Sequence, residues 1–340
     1  MQPIAPFIHV CKNLQKAAPD ELPLQLPGVA AAPAVPVCFG IYPVGLGWSN
    51  ECYSFPSGAV GCARIEQQTP IHTVSTGPAM VDDQTVEVIY RDEHLVAINK
   101  PSGLLVHRSP IDRHETRFAL QLVRNHIGRH VFPVHRLDKP TSGVLVFALS
   151  PAIAAQLSGQ FAAGTVDKRY LAVARGYIPE RGCIDYPLRE QLDRIADRDR
   201  TPHRPPQPAV THYQRLATVE VPVAVDRYPQ ARYSLVALRP DTGRRHQLRR
   251  HMKHIGHPLI GDAKHGKGVH NRFFQAHYDC HRLLLACIGL GISHPVSGAT
   301  LQLRAGLDAP FQRVLAALGW QDLVPAPVPP VPNQCQPGGS

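Results

Sequence analysis

The chain has 340 residues, a formal net charge of +10 and 18% charged residues, a length that accommodates about two domains. None of its eight cysteines forms a CxxC pair, so a zinc site is not expected, and no apolar run reaches the ~18 residues of a membrane helix. Because no signal peptide precedes the chain's first strands, we expect a cytoplasmic protein whose basic surface suits a polyanion such as nucleic acid.

The first part of the chain differs in composition from the rest. Residues 1–79 are rich in Pro, Gly, Ala and Ser and show neither helical nor strand periodicity, which predicts a disordered extension. Met80 stands directly before the first strand pattern, so it is an alternative start of translation. A Pro-rich disordered tail is predicted for residues 324–340. The folded domain is therefore predicted to span residues 80–323.

Regular elements are predicted from residue 86 onward. Alternating apolar residues predict strands at Val86–Tyr90 and Leu95–Lys100. The Pro101–Gly103 segment is typical of a turn. Apolar residues at helical spacing then predict a helix over Phe118–Ile127, which ends at Gly128.

The stretch His135–Leu149 reads HRLDKPTSGVLVFAL and follows an apolar run. Its second half alternates, which predicts a half-buried strand, so Asp138 is placed in a tight connection between two strands. Pro140 restricts the backbone beside it, and Gly143 frees the backbone just after. Turn chemistry alone favours an aspartate that only shapes the loop. A reactive carboxylate on a rigid scaffold is the alternative interpretation.

The middle of the chain continues with a helix, a strand and a loop. Ser150 is a good N-cap for a helix that begins at Pro151 and ends near Ala163, before Gly164. A strand is predicted over Lys168–Ala174. Residues 189–208 are rich in arginine and end in prolines, which predicts an exposed, mobile loop.

The last third is predicted to consist mainly of strands. The predicted elements are strands at Thr211–Ala217 and Tyr233–Leu238, a basic helix at Arg245–Ile255, strands at Leu283–Leu285, Leu290–Ser293 and Leu301–Leu303, and a helix at Phe311–Leu318. Strands occur in adjacent runs rather than in strict βαβ alternation. The predicted class is therefore α+β with a mixed, largely antiparallel sheet.

The HRLDKPTSGVLVFAL stretch resembles the catalytic signature of the pseudouridine synthases, in the branch related to ribosomal large-subunit enzyme A. The resemblance implies the pseudouridine synthase fold, no cofactor, and an RNA uridine as substrate, with Asp138 as the nucleophile. It implies that Arg136 enters the RNA as the base flips out, and we expect His135 and Thr141 to assist in RNA contact. Attack on C6 of uracil, attack on C1′ of the ribose and abstraction of a 2′ proton all stay open.

Two further motifs resemble those of the family. INKPSGLLVH (98–107) opens the family's catalytic domain, and we expect Lys100 and Pro101 to shape the site rather than react. In KRYLA (168–172), Tyr170 resembles the family tyrosine that lies against the target uracil. Its ring offers a stacking face, and its hydroxyl is a proton donor or acceptor.

The segment TGRRHQLRRHMKHIGHPLIGDAKHG (242–266) resembles a fourth motif. Arg249 matches the basic residue that pairs with the catalytic aspartate and keeps it ionised. Other basic residues are expected to contact RNA, namely Arg245, Arg250 and Lys253. Leu259 and Ile260 resemble the apolar floor beneath the uracil, and Gly261 allows close approach.

Four histidines in this segment also have a spacing that two metal ligands could use: His246, His251, His254 and His257. No neighbouring carboxylate completes a familiar ligand set. We therefore expect no metal and interpret them as polar residues near RNA or packed against the helix.

Two longer stretches, HRSPIDRHET (107–116) and QPAVTHYQRLATVEVPVA (207–224), resemble a branch of the family that modifies tRNA. The resemblance predicts a tRNA substrate, modified at the uridine of position sixty-five in the T-stem. The alternatives are a ribosomal RNA pseudouridine synthase of the same family and a non-catalytic RNA-binding or ribosome-assembly module. A metal-dependent phosphodiesterase would need a carboxylate–histidine cluster that the sequence does not suggest. Neither a membrane nor an obligatory protein partner is expected.

Overall fold

The computed structural model describes residues 86–108, 114–191 and 205–324. The predicted extension over residues 1–79, nearly all of the predicted tail and the centre of the loop predicted over 189–208 lie outside the described residues. None of the helices in the described part of the chain combines the length and apolar character that a bilayer crossing demands.

The strands are β1 (Glu87–Arg91), β2 (Leu95–Lys100), β3 (Phe132–Pro133), β4 (Ser142–Ala148), β5 (Asp167–Arg175), β6 (Arg181–Asp185), β7 (Val210–Val221), β8 (Ala231–Pro240), β9 (Leu285–Ser293) and β10 (Thr300–Arg304). The helices are α1 (Ala119–Ile127), α2 (Pro151–Ala163), α3 (Gln247–His254), α4 (Gly268–Tyr278) and α5 (Ala309–Ala317), followed by a 3₁₀ turn at Gln321–Leu323.

All ten described strands belong to one sheet. Its order is β1-β2-β4-β9-β5-β8-β7-β6, with β3 beside β4 and β10 beside β9. Among the described strands, β4 and β9 form the one parallel pair, and every other pairing is antiparallel. The predicted α+β class with a mixed, largely antiparallel sheet is confirmed.

The central strand β4 is buried along its whole length. The alternation of Val144, Val146 and Ala148 had predicted a half-buried strand, and that prediction is wrong. The intervening residues Leu145 and Phe147 are also apolar and fully buried, and they share one core with residues of α1 and α2. Because β4 is covered on both faces, the loop that precedes it is anchored to a fully buried strand.

Local capping signals predicted both ends of α2 and the C-terminal end of α1 correctly. The Ser150 hydroxyl accepts a hydrogen bond from the Ile153 amide at the start of α2, and Gly164 ends that helix in the left-handed conformation. Gly128 ends α1 in the same way.

The basic helix α3 begins two residues later than predicted. His246 has a left-handed backbone with φ of 55°, so the helix cannot extend through it. The Gln247 side chain closes the preceding turn, because its carbonyl oxygen accepts hydrogen bonds from the Thr242 hydroxyl at 2.7 Å and the Arg244 amide at 2.9 Å. This turn fixes the left-handed residue at the start of α3.

Further elements differ from the prediction. The strand predicted at Leu290–Ser293 is part of a longer strand, β9, which begins at Leu285, the last residue of the strand predicted at Leu283–Leu285. Strand β6 and helix α4 were not predicted. Helix α4 is rich in polar residues, and it is held by Phe273 and Phe274, which pack into the core beside β8.

Gly143 is where β4 can approach β9. Its φ is 110°, and a Cβ atom added there would lie 2.0 Å from the carbonyl oxygen of Cys287, the residue with which Gly143 pairs.

We expect Gly143→Ala to lower the free energy of unfolding by about 1–3 kcal/mol, as measured by urea denaturation. Gly159→Ala is the matched control, since nothing lies within 4 Å of its position in α2, and it should raise that free energy by about 0.5–1 kcal/mol. Equal destabilisation by both substitutions would contradict this account.

Candidate active site

A cavity of about 870 Å³ opens beside the loop that precedes β4. Its walls are that loop, the end of α2, strand β5 and the turn that leads into α3. Five cations line it: Arg136, Lys168, Arg244, Arg245 and Arg249. Two carboxylates, Asp138 and Asp241, also line it. This excess of positive charge favours an anionic ligand.

The Pro101–Gly103 turn holds the Asp138 loop in place. The Gly103 amide donates to the Lys139 carbonyl oxygen at 2.9 Å, and the Ser102 hydroxyl donates to the Pro140 carbonyl oxygen at 2.8 Å. Within the loop, the Thr141 amide donates to the carbonyl oxygen of Asp138 at 3.0 Å. The carboxylate is thus presented from a loop whose own backbone groups are hydrogen-bonded.

Lys100, at the end of β2, is fully buried under the same loop. Its ammonium group donates to the carbonyl oxygens of Pro101, Leu104 and Lys139, at 2.9, 2.8 and 3.2 Å. Burial lowers the pKa of Lys100 to about 7, and the nearby Arg282 acts in the same direction. The side chain joins the first turn to the Asp138 loop, which supports a shaping role.

Replacing Lys100 should therefore weaken the fold around the loop. Lys100→Met keeps the length of the side chain but leaves its buried carbonyl partners without a donor. We expect the free energy of unfolding to fall by about 1–3 kcal/mol, measured by chemical denaturation. Lys264→Met, at an exposed position, is the control and should change it by less than about 0.5 kcal/mol. A Lys100→Met protein as stable as wild type would show that these hydrogen bonds do not hold the loop.

Arg249, in the first half of α3, lies between two carboxylates. It is 5% exposed, and its Nη1 donates to Oδ2 of Asp138 at 3.0 Å. Its Nε and Nη2 each donate to one oxygen of Asp262, both at 2.7 Å. Burial alone would lower the pKa of Arg249, but the hydrogen bonds and charge of Asp262, with the charge of Asp138, raise it. The guanidinium therefore stays charged and fixed beside Asp138.

Asp262 was missed by the sequence analysis. It is 2% exposed, and its Oδ1 also accepts hydrogen bonds from the backbone amides of Lys264 and His265, both at 2.9 Å. Burial raises its pKa, but the hydrogen bonds from Arg249 and from these amides outweigh burial and lower it. The available signal was an aspartate followed by a polar turn in GDAKHG, a sequence typical of an Asx-turn.

His246 also faces the carboxylate of Asp138. Its Nε2 lies 3.9 Å from Oδ2 of Asp138, and its Nδ1 lies 3.0 Å from Nε2 of His265. Burial lowers the pKa of His246 to about 4, so the imidazole is neutral at pH 7.

The other histidines of this segment lie apart. His251 is buried and hydrogen-bonds to Thr211, His254 stacks on Tyr186, and His257 hydrogen-bonds to the Arg175 carbonyl. The described residues contain no group of three or more His, Cys, Asp or Glu side chains that could hold a metal ion.

Tyr170, on β5, lines the cavity while its hydroxyl lies against the Cys287 thiol. Burial raises the pKa of Tyr170 well above its usual value, and the neighbouring Cys287 and Asp138 add to the shift. The phenol is therefore protonated at any physiological pH.

The predicted flipping residues occupy different positions. Arg136 is exposed and lines the cavity, whereas Thr141 is buried in its wall. The His135 ring stacks on Phe161 at 4.5 Å, and its Nε2 accepts a hydrogen bond from the Val146 amide at 3.0 Å. Burial lowers the pKa of His135 to about 3. It supports the loop as a neutral side chain.

Three basic residues on or just before α3 are predicted to contact RNA. Two of them donate hydrogen bonds to backbone carbonyl oxygens. Arg245 donates to the carbonyl oxygen of Gln191 at 2.8 Å, and Arg250 donates to that of Arg189 at 3.0 Å. Lys253 is exposed on the helix. Only Arg245 of the three lines the cavity as the structure describes it.

The predicted apolar floor does not match the cavity. Leu259 is bridged to Ala174 and packs in one core cluster, with Leu248 and Met252. The Ile260 amide donates to the carbonyl oxygen of Val173, and Ile260 packs in a separate cluster with Phe274. Gly261 gives room to the backbone of Arg282, whose carbonyl oxygen would lie 1.9 Å from an added Cβ. The apolar residues that line the described cavity are instead Leu137, Phe161, Leu248, Leu285 and Leu290, together with alanines of α2.

The chain is similar in sequence to known proteins. Residues 94–254 match the model of the RNA pseudouridylate synthase family. The chain is 56% identical over 240 residues to tRNA pseudouridine synthase C of Pectobacterium carotovorum subsp. carotovorum, covering 71% of this chain and 64% of that protein. It is 54% identical over 240 residues to tRNA pseudouridine synthase C of Yersinia pestis, covering 71% of this chain and 93% of that protein.

Among solved structures, the fold is similar to human RNA pseudouridylate synthase domain containing 4. The TM-score is 0.51 at 28% identity, and the similarity covers 68% of this chain and 93% of the human one. Sequence and structure thus agree on the same family. The chain belongs to the RNA pseudouridylate synthase family, in the branch related to ribosomal large-subunit enzyme A, and it is a pseudouridine synthase, an isomerase.

Proposed function

We propose that this protein converts uridine to pseudouridine in tRNA, with Asp138 as the nucleophile. The observation that carries the proposal is the pair formed by Asp138 and the buried Arg249 at the wall of a cation-lined cavity. The relatives named tRNA pseudouridine synthase C support the choice of RNA.

The reaction breaks the bond between C1′ of the ribose and N1 of uracil, turns the base, and rejoins the two through C5. A carboxylate can begin this reaction only while it is ionised and aimed at the nucleotide. Arg249 serves both needs through opposite charge and a charge-assisted hydrogen bond. Arg249 donates to Oδ2. Oδ1 has no hydrogen-bond donor among the described residues, so we infer that Oδ1 attacks.

The target uridine must leave its stack, because its reacting atoms are not accessible inside a helix. A cavity of about 870 Å³ has the size of a pocket for a nucleotide-sized ligand. Arg136 is exposed at this cavity and is suited to take the place of the flipped base. The ring of Tyr170 offers the uracil a stacking face while its hydroxyl stays bound to Cys287.

The position in the RNA is the finer part of the proposal. Contacts between cations and phosphates position an RNA but carry no sequence information, so the cavity by itself does not distinguish tRNA from ribosomal RNA. We propose the uridine of position sixty-five in the T-stem, on the local resemblance of residues 107–116 and 207–224 to the tRNA-modifying branch.

Mapping of pseudouridine in cells tests this proposal. Carbodiimide labelling is applied to tRNA and ribosomal RNA from cells that lack the gene, and from the same cells carrying wild type or Asp138→Asn. We expect one T-stem site to lose its signal and only wild type to restore it. Loss at a ribosomal site would overturn the substrate and keep the chemistry. No loss in either RNA would favour a non-catalytic RNA-binding protein.

A further inference from the structure

His246 lines the cavity and has an unusual backbone conformation, but it has no role in the steps described above. It is one of two described residues other than glycine with a positive φ, a conformation that is costly for most side chains and tends to occur at functional sites. The Thr242–Gln247 turn imposes this conformation, and the imidazole consequently lines the cavity.

One hydrogen bond orients the imidazole. Nδ1 lies 3.0 Å from Nε2 of His265, and the backbone of His265 is fixed by its amide hydrogen bond to Asp262. Nε2 lies 3.9 Å from Oδ2 of Asp138. When Nδ1–H donates to His265, the lone pair of Nε2 points to the cavity beside the carboxylate. A substrate atom that contacts Asp138 is then within a few ångströms of a neutral base.

The proposed isomerisation needs such a base. Once C5 has joined C1′, C5 still carries its hydrogen, and the electrons of that C–H bond must re-form the C5=C6 double bond. If Asp138 had added to C6, it leaves with the electrons of the C6–O bond. Otherwise the electrons of an N1=C6 bond return to N1. In either case C5 loses a proton and N1 gains one, so the protons balance without a co-reactant.

Three other titratable groups in the described wall of the cavity are less suitable as the base. The hydroxyl of Tyr170 is buried against Cys287 and stays protonated. The accepting nitrogen of His135 is occupied by the Val146 amide, and Asp241 is occupied by the His212 imidazole at 2.7 Å.

We propose that His246 is a catalytic base, which accepts the proton from C5 on Nε2 and releases it to N1 or to solvent. The resulting imidazolium lies beside the carboxylate of Asp138, whose charge stabilises it. This role rests on the proposed function, because it presupposes a uridine bound against Asp138.

The test compares single-turnover rates on tRNA whose uridines carry hydrogen or deuterium at C5. His246→Asn keeps a residue that tolerates the left-handed backbone, and His246→Gly leaves room for added imidazole. We expect both to bind tRNA as wild type does and to react roughly 100-fold or more slowly. Both should show a primary deuterium isotope effect larger than that of wild type, and imidazole should restore the rate of His246→Gly.

His126→Asn, an exposed position on α1, is the matched control and should keep the wild-type rate. A wild-type rate in His246→Asn, or a slow rate with neither isotope effect nor imidazole rescue, would overturn the role of His246. A new isotope effect in Tyr170→Phe alone would move that role to Tyr170. Absence of pseudouridine in the wild-type reaction would instead overturn the proposed function, and this role with it.

Discussion

Asp138→Asn should abolish pseudouridine formation while leaving the affinity for tRNA within about tenfold of wild type. The amide has nearly the shape of the carboxylate and can still accept the hydrogen bond from Arg249, but it lacks the negative charge that makes the group a nucleophile. Affinity is expected to survive because contacts between cations and phosphates carry most of the binding free energy. The cations that line the cavity are unchanged by this substitution.

Single-turnover pseudouridine assays and filter binding on the same preparations measure both quantities. Asp322→Asn, at an exposed position near the end of the described chain, is the matched control and should behave as wild type. Turnover by a verified Asp138→Asn protein would remove Asp138 from the role of nucleophile. Loss of tRNA binding together with turnover would assign it to binding instead.

Arg249→Ala should abolish turnover and lower the free energy of unfolding by about 3–5 kcal/mol. Asp138 loses the cation that orients it, and Asp262 is left charged and buried without its bidentate partner. Removing one member of a buried ion pair costs much more than removing both. We therefore expect Arg249→Met combined with Asp262→Asn to recover part of the lost stability and none of the lost turnover.

Urea denaturation and the pseudouridine assay separate the two effects. The pH dependence gives a further readout: because the pKa of Asp262 is lower in the folded protein, its stabilising contribution is present above the unfolded pKa of about 3.9. That contribution is lost as the pH falls through the folded pKa. Asp262→Asn should therefore flatten the acid side of the stability profile. Equal stability of Arg249→Ala and wild type would contradict the buried network.

Where structure follows from local signals, the sequence was sufficient to predict it. The ends of α2 depend on Ser150, Pro151 and Gly164, which act within one turn of the helix. The class of the fold followed from adjacent strand patterns. By contrast, β9 contains Gly289 and Gly291, which interrupt an apolar pattern. Gly291 lies beside the end of the Gln302 side chain on β10, 2.9 Å from where a Cβ would be, a contact that no local pattern shows.

The site was predictable only through its resemblance to a family. Turn chemistry alone favoured a structural Asp138, and nothing local joins it to Arg249, which is 111 positions away. Asp262 and His265 were missed because their importance depends on the buried guanidinium and imidazole that the fold places against them. Leu259 and Ile260, predicted as the apolar floor, are buried in two core clusters and do not line the described cavity, so their contact with uracil stays a prediction.

The most direct test of the central claim uses the purified protein and an unmodified tRNA transcript. Wild type and Asp138→Asn are incubated with the transcript in single-turnover reactions, and pseudouridine is then mapped by carbodiimide labelling. We expect wild type to form one pseudouridine, at position sixty-five of the T-stem, and Asp138→Asn to form none. Pseudouridine formed equally by both proteins, or by neither, would contradict it.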